Sequence, residues 1–289
     1  VPRLLRLRCR PAGQRAAARA EARQEVGPTR GFWTGWFGRK ASPGRTPSVP
    51  PDHAVYAVGD IHGRADLLDL LLARIAEDAG RHPGDARRTL VFLGDYIDRG
   101  TASRGVVERL LGDPLPGFET IRLCGNHEEA LLAFLQGQAS GMDWLGFGGL
   151  ETLLSYGVPL RGLPDRAERE AELRTCLAAA LPPEHLAFYR GCVLHHSVGD
   201  YLFVHAGVRP GVPLDAQSPE DLLWIRDDFL RDRDPLPGRV VVHGHTICDM
   251  PQDRGHRINI DTGAFASGRL TCLVLRGERR QFMSTLDRP

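Results

Sequence analysis

The sequence predicts an α/β fold, because short apolar, β-prone runs alternate with amphipathic helical stretches. Residues 54–58 form the first run, and residues 64–79 follow it with leucines spaced to share one helical face. Further runs at 90–93 and 120–123 repeat the pattern, and each of the three is soon followed by a glycine and a polar residue. Open α/β sheets bind ligands at the carboxyl ends of their parallel strands. The first half therefore predicts a β-α-β-α-β-α unit with a site at one sheet edge.

The second half returns to strands after a helical interruption. Helices at 106–111 and 128–136 complete the first unit. Residues 141–191 begin with a glycine-rich aromatic segment and continue as helical pieces, which predicts a small helical cap insertion beside the site. Beyond it, a hairpin and three further strands predict a mixed two-sheet β-sandwich flanked by helices. These strands are placed at 193–197, 201–204, 240–242, 258–260 and 270–275.

Charge divides the chain into two parts. The 289 residues carry a net charge of +1, but residues 1–50 hold ten arginines and one lysine against two glutamates. The remainder is net acidic, which disfavours nucleic acid as a partner. We predict a basic N-terminal extension over 1–51 and a catalytic domain over 52–289. The extension is either disordered or an arm that contacts a membrane surface or a partner.

Cysteine usage and hydropathy predict a cytoplasmic protein. The six cysteines show no CxxC spacing, as expected for thiols in a reducing compartment. No apolar run approaches the ~20 residues of a transmembrane helix. The oligomeric state is left open by the sequence.

Five short motifs carry the chemistry. They contain carboxylate, amide and imidazole groups, which are the ligands of paired divalent ions that activate water and clamp phosphate. In chain order they are Gly59-Asp60-Ile61-His62-Gly63, Gly94-Asp95-Tyr96-Ile97-Asp98-Arg99-Gly100, Gly125-Asn126-His127-Glu128, Val204-His205-Ala206 and His243-Gly244-His245-Thr246.

In these motifs the chain resembles the calcineurin-like metallophosphoesterases. Within them it resembles the phosphoprotein phosphatase type, which is marked by GDxHG, GDxxDRG and GNHE and is related to the diadenosine tetraphosphatases. The resemblance covers about residues 52–276. It implies the two-sheet sandwich predicted above.

The resemblance also implies a dinuclear metal centre in which Asp95 bridges two ions. Nitrogen and oxygen ligands without thiolate suit Mn²⁺, which we expect, and also Fe or Zn²⁺. The implied ligands are Asp60, His62 and Asp95 for the first ion, and Asp95, Asn126, His205 and His245 for the second.

The same resemblance assigns the groups that act on the substrate. His127 protonates the leaving oxygen, and Asp98 is the carboxylate partner of that imidazole. Arg99 and Asn126 face the substrate phosphate, and a guanidinium fork binds two phosphoryl oxygens. Arg226 resembles a second phosphate-binding arginine, with a surface ion pair as its alternative. The implied nucleophile is a hydroxide between the metals, with no phosphoenzyme.

Four further residues have less specific interpretations. Glu128 and Glu129 open a helix, where the dipole favours negative charge, and this alone explains them. His243 is either an outer contact of the metal site or a packed histidine. Asp261 either orients a metal ligand or belongs to an ordinary strand-end turn.

We predict a metal-dependent phosphomonoesterase that acts on phosphoserine or phosphothreonine. The expected partner is therefore a phosphoprotein or a phosphorylated small molecule. The first alternative is a dinucleoside tetraphosphate hydrolase, in which Trp144 and Phe147 of the predicted cap would stack on a base. The second alternative is a catalytically weak scaffold that binds phosphate.

Overall fold

The computed structural model describes residues 45–160 and 166–287, apart from the side chains of residues 139–142 and 166–168. Most of the predicted N-terminal extension, residues 1–44, lies outside the described residues, so its role stays a prediction. Within the described part, no helix combines the length and the apolar composition needed to cross a membrane.

Two mixed sheets of five strands form the centre of the described chain. In chain order the strands are β1 (His53–Val58), β2 (Arg87–Phe92), β3 (Glu119–Arg122), β4 (His195–Val198), β5 (Tyr201–Val204), β6 (Val240–His243), β7 (Gln252–Asp253), β8 (Arg257–Asn259), β9 (Thr271–Arg276) and β10 (Arg279–Ser284). The α-helices are α1 (Ala65–Arg81), α2 (Ser103–Leu111), α3 (Asn126–Leu135), α4 (Gly149–Ser155), α5 (Arg166–Ala180), α6 (Pro183–Gly191), α7 (Pro219–Trp224), α8 (Asp227–Arg231) and α9 (Ala264–Ser267).

The first sheet contains the predicted β-α-β-α-β-α unit. Its strand order is β10-β9-β1-β2-β3, in which β1, β2 and β3 are parallel neighbours. The loops that follow these three strands therefore leave the sheet at the same edge. Strand β2 begins at Arg87, before the predicted 90–93, because pairing with β1 continues over polar residues that carry no strand signal.

The second sheet delivers its own residues to that edge. Its order is β4-β5-β6-β8-β7, with the predicted hairpin at β4 and β5 and parallel pairing among β5, β6 and β8. His205 follows β5 directly, and Gly244 follows β6. Strands β7 and β10 were not predicted, because β7 has two residues and β10 is a polar edge strand.

Three apolar clusters bind four layers together. Between the sheets, Val55 and Val91 of the first sheet pack in one cluster with Phe203 and Val242 of the second. Helices α1, α2 and α3 cover the outer face of the first sheet, and α7 and α8 cover the outer face of the second. The predicted two-sheet sandwich flanked by helices is confirmed.

The cap insertion, residues 141–191, belongs to the first helical layer. Leu153 of α4, Leu173 of α5 and Tyr189 of α6 are buried in the same cluster as α1, α2 and α3. The insertion opens within a 3-10 helix over Ala139–Phe147, whose Trp144 ring lies 5.0 Å from the ring of Phe134 in α3. Trp144 also contacts the loop that contains Asp98, as described below.

Candidate metal centre and active site

Backbone strain is concentrated in the predicted motifs. Of the described non-glycine residues, five have a positive φ, and all five are predicted site residues. A left-handed conformation costs about 1–2 kcal/mol for a residue with a Cβ, so it persists only where surrounding contacts enforce it. These residues are His62 (45°), Asp95 (53°), Asp98 (73°), Arg99 (65°) and His245 (64°).

Asp95 lies at the centre of the predicted ligands. Its Oδ2 is 3.5 Å from His62 Nε2, and its Oδ1 is 3.4 Å from His205 Nε2. It is the residue shared by two groups of possible metal ligands, His62-Asp95-His127 and Asp95-His205-His245. Burial alone would raise the pKa of Asp95, but the neighbouring imidazoles, His205 first, outweigh burial and lower it. We therefore propose Asp95 as the ligand that two ions share.

Two histidines are oriented by backbone carbonyls. His62 Nδ1 lies 2.8 Å from the carbonyl of Ile97, and His205 Nδ1 lies 2.9 Å from the carbonyl of Leu93. Each Nδ1–H donates to its carbonyl, which leaves the Nε2 lone pair directed at Asp95. Burial lowers the pKa of both rings, to about 3 for His62, and therefore favours the neutral form that can bind a cation.

The second group is closed by Asn126 and His245. Asn126 Oδ1 lies 2.9 Å from His205 Nε2 and 2.8 Å from His245 Nδ1. The backbone N–H of His245 donates to Asp60 Oδ2 at 3.0 Å. This bond links a loop of the second sheet to a loop of the first. A Cβ at Gly244 would lie 2.0 Å from Asp60 Oδ1, so glycine is required for this approach.

Two buried atoms of this group have no hydrogen-bond partner: Asp60 Oδ1 and His245 Nε2. Burial and the like charges of Asp261 and Asp95 raise the pKa of Asp60 well above its ordinary value. A carboxylate that is crowded by carboxylates and has one oxygen without a donor fits a cation as its partner. The donor set therefore fits a pair of divalent ions.

His127 belongs to the first ligand group, although we predicted Asp60 there. We propose that it transfers a proton, because its Nδ1 is 2.6 Å from Asp98 Oδ2, the predicted carboxylate partner. Burial alone would lower the pKa of His127, but the carboxylates of Asp95 and Asp98 outweigh burial and raise it. The imidazole can therefore carry a proton at Nε2, as a general acid requires.

The cap insertion holds Asp98 from the other side. Thr152 Oγ1–H donates to Asp98 Oδ1 at 2.5 Å, and Trp144 Nε1–H donates to Asp98 Oδ2 at 2.8 Å. The backbone N–H of Asp98 in turn donates to the hydroxyl of Ser103 at 3.0 Å. Burial raises the pKa of Asp98, and the two side-chain donors oppose this by favouring the ionised carboxylate and fixing its direction toward His127.

The two predicted phosphate-binding arginines both lie at the metal edge. Arg99 Nη1 is 2.9 Å from His62 Nε2, and Arg99 Nη2 is 3.2 Å from His127 Nε2. Arg226 Nη1 donates to the carbonyl of His245 at 3.2 Å and is exposed to solvent. Both guanidinium groups are placed where a phosphate could meet them, and their role remains a proposal.

Glu128 is the residue that sequence reasoning missed. Its carboxylate is fully buried and accepts the backbone N–H of Asp95 at 2.8 Å, of Tyr96 at 2.9 Å and of Gly125 at 2.9 Å. The helix dipole alone was therefore the wrong explanation. The Glu128 carboxylate fastens the second motif loop to the third. Its position in the GNHE motif is the sequence feature that could have indicated this role.

Trp144 and Phe147 also differ from expectation. Trp144 is fully buried with its N–H on Asp98, so the prediction that it could stack on a base was wrong. Phe147 is 37% exposed, and its ring lies 6.3 Å from the ring of His127. The predicted cap therefore provides one internal support and one exposed ring.

The open questions at His243 and Asp261 receive structural answers. His243 is fully buried, and its ring packs 4.9 Å from that of Phe229, so the packed alternative is the one supported. Asp261 is buried close enough to Asp60 to raise the pKa of that carboxyl. Asp261 also accepts the N–H of Gly263 at 2.9 Å, so it combines a turn with contact to the metal edge.

These loops and their strand order place the chain in a known class of hydrolases. The family model of the calcineurin-like phosphoesterases matches residues 53–261, which is most of the chain, and the protein belongs to that family. It is accordingly a metallophosphoesterase, and members of the family use a dinuclear divalent metal centre.

Similar proteins include two curated nucleotide hydrolases. Bis(5'-nucleosyl)-tetraphosphatase PrpE (asymmetrical) of Bacillus mycoides is 24% identical over 75% of this chain and 88% of its own length. The symmetrical bis(5'-nucleosyl)-tetraphosphatase of Acidovorax ebreus is 37% identical over 54% of this chain, which spans 45% of that protein. A solved candidate diadenosine tetraphosphatase shares the fold, with 22% identity, a TM-score of 0.51 and coverage of 83% of this chain and 98% of its own.

Proposed function

We propose that this protein hydrolyses the polyphosphate chain of bis(5'-nucleosyl) tetraphosphates at a two-metal centre. The observation that carries the chemistry is Asp95, which lies between two groups of possible metal ligands and within 3.8 Å of His127 Nε2. The names of the similar curated proteins support the nucleotide substrate. Phosphoserine and phosphothreonine, the substrates first predicted from the motifs, would use the same centre.

We propose six metal ligands, in agreement with the sequence prediction. Two divalent ions bound there would supply an activated water and neutralise charge on the phosphoryl group during its transfer. Mn²⁺, Fe and Zn²⁺ all suit the donors, and Mn²⁺ is our choice. The ligands are Asp60, His62, Asp95, Asn126, His205 and His245.

The remaining side chains bind the phosphate and move a proton. Arg99 and Arg226 would bind phosphoryl oxygens, because each guanidinium presents several fixed donors. His127 gives the proton on Nε2 to the oxygen that leaves phosphorus, while that oxygen keeps the electron pair of the broken P–O bond. Asp98 stays ionised and stabilises the imidazolium until the transfer.

Arg99 places the substrate next to that proton. Its guanidinium lies 3.2 Å from His127 Nε2, so an oxygen held by Arg99 is adjacent to the proton donor. A leaving phosphate is a weaker base than a serine or threonine alkoxide. Cleavage of an anhydride therefore depends less on His127 than cleavage of a phosphoserine ester does.

The test is steady-state hydrolysis by the Mn²⁺-loaded protein of Ap4A and of a phosphothreonine peptide in parallel. We expect the larger kcat/KM for Ap4A, with the nucleotide products separated by chromatography. Preference for the peptide would reject the nucleotide substrate and restore the first prediction. Turnover of neither substrate, with metal bound in stoichiometric amount, would support the scaffold alternative.

A further inference from the structure

We infer that Phe147 and Trp224 form a nucleobase-stacking subsite beside the metal centre. The inference rests on the proposed nucleotide substrate and names the residues that recognise it. Phe147 comes from the cap insertion, and Trp224 ends α7 on the second sheet. Their ring centroids are 6.1 Å apart, so they join the two sides of the site.

Each of the two rings is also a neighbour of a histidine ring in the proposed active site. The ring of Phe147 is 6.3 Å from that of His127, and the ring of Trp224 is 6.3 Å from that of His245. The pair therefore extends from the proposed proton donor to a proposed metal ligand. A base stacked here belongs to the nucleotide whose phosphate lies at the centre.

The Trp224 ring and the backbone next to Phe147 are held in place before any ligand arrives. Trp224 Nε1–H donates to Glu129 Oε2 at 2.7 Å, which fixes the indole. The residue after Phe147, Gly148, has a φ of 110° and accepts the backbone N–H of Arg99 at 3.3 Å. A preorganised aromatic ring loses little conformational entropy on binding and suits a planar ligand.

The geometry also limits how a base can bind. The planes of Phe147 and Trp224 are inclined by 60°, so no parallel slot exists between them and a base must lie on an outer face. Phe147 is the better platform because it is 37% exposed. A third aromatic ring nearby, Phe265, is already covered by the guanidinium of Arg99, whose Cζ lies 4.9 Å from its centroid.

Stacking reads the shape of a base and not its hydrogen-bonding edge. We therefore expect similar kcat/KM values for Ap4A and Gp4G, and a lower value for inorganic tetraphosphate, which has the phosphates but no base. The contribution of one stacked base corresponds to about 5- to 100-fold.

The experiment compares Phe147→Leu, Phe147→Trp and a control variant in the Mn²⁺-loaded protein. Leu154→Ala is the control, because Leu154 is a 56% exposed apolar residue of the same insertion. The readout is the ratio of kcat/KM for Ap4A to kcat/KM for inorganic tetraphosphate. We expect the ratio to fall at least fivefold in Phe147→Leu and to stay at the wild-type value in Phe147→Trp and Leu154→Ala.

A second readout, product inhibition, applies where a variant or a substrate gives little turnover. The inhibition constant of AMP should rise in Phe147→Leu relative to that of inorganic phosphate. An unchanged ratio and unchanged relative inhibition, in a protein that hydrolyses Ap4A, would overturn the subsite and leave the proposed function standing. A wild-type protein that hydrolyses the phosphopeptide but not Ap4A would overturn both.

Discussion

The metal edge, which is built from loops of both sheets, and the cap insertion both contribute to the active centre, and their chemistry differs. The metal edge presents buried atoms without hydrogen-bond partners, such as Asp60 Oδ1 and His245 Nε2. The cap side presents donors that are fully used, since Trp144 and Thr152 both hydrogen-bond to Asp98. We propose that a cation from solution completes the metal edge, whereas the cap side is complete within the chain.

The difference shows how one fold separates two tasks. Charges without partners in the chain are tolerated where a metal neutralises them, because a buried unpaired carboxylate is otherwise costly. A proton donor requires the opposite arrangement, in which every polar neighbour of the carboxylate partner is satisfied. Four variants test this division by turnover, from the largest expected loss to the smallest, and a comparison of two carboxylates tests it by stability.

Asp95→Asn should have the largest effect, because Asp95 is shared by both ligand groups. We expect a loss of kcat above about 100-fold, the upper range for groups that only support a ligand, together with metal below two equivalents. Turnover of Ap4A and elemental analysis of the dialysed protein measure both. Asp66→Asn, at an exposed ion pair on α1, is the control. Near-normal turnover with two metals bound would contradict the shared-ligand assignment.

His127→Asn should remove the proton donor and spare the metal. We expect a loss of about 100-fold or more for a phosphothreonine peptide, whose leaving alkoxide needs a proton, and a much smaller loss for p-nitrophenyl phosphate. Metal content should stay at the wild-type level. Equal losses on both substrates would show that His127 does not act as a general acid.

Glu128→Gln should loosen the contact between the second and third motif loops. The carboxylate accepts three backbone N–H groups within 2.9 Å, and an amide presents one acceptor oxygen in their place. We expect a loss of about 10-fold in kcat/KM and weaker Mn²⁺ binding. Glu129→Gln, one residue along and exposed, keeps an acceptor for Trp224 and serves as the control. Equal metal affinity in the two variants would reduce Glu128 to a simple packing role.

Trp144→Phe removes one donor from Asp98 and tests the cap side alone. The donor favours the ionised carboxylate, so its loss raises the pKa of Asp98 and weakens the hold of Asp98 on the protonated imidazole. The pKa of His127 should then fall. Since a general acid is lost as the pH rises through its pKa, the alkaline limb of kcat should move to lower pH, with about a 5-fold loss at neutral pH. A shift of the alkaline limb to higher pH would contradict the proposed effect of Trp144 on His127 through Asp98.

Asp78→Asn tests a buried carboxylate whose counterion lies in the chain, for comparison with Asp60. Arg276 Nη2 and the hydroxyl of Tyr56 donate to Asp78 Oδ2 at 2.6 Å and 2.8 Å. Burial alone would raise the pKa of Asp78, but these two partners outweigh it and lower the pKa from 3.8. The stabilisation is therefore present above pH 3.8 and is lost as the pH falls through the folded-state pKa.

Urea unfolding in EDTA measures this effect on stability. Asp78→Asn should lower the free energy of unfolding by about 2 kcal/mol at pH 7, and the difference should vanish once the pH falls below the folded-state pKa of Asp78. Asp60→Asn, which removes a carboxylate without a counterion in the chain, should not destabilise the metal-free protein. A large destabilisation by Asp60→Asn in EDTA would show that Asp60 has a charged partner in the chain.

Much of the metal edge was predictable because each ligand stands beside a glycine or at the end of an apolar run. The motifs at Asp60, Asp95 and Asn126 therefore locate both the strand ends and the donor atoms. Glu128 was misread, since its position on a helix has an adequate local explanation and its three backbone partners lie in another loop or at the helix start. Trp144 was misread because exposure cannot be deduced from a glycine-rich aromatic segment.

The sequence by itself determined the class of chemistry, because ligand identity and order along the chain are local properties. It also determined the alternation of strands and helices, which apolar periodicity encodes. Only the tertiary structure decided which atoms meet: Trp144 with Asp98, Phe147 with Trp224, and Glu128 with the loop of Asp95. These contacts join residues far apart in the chain, so they depend on how the layers pack and not on any local pattern.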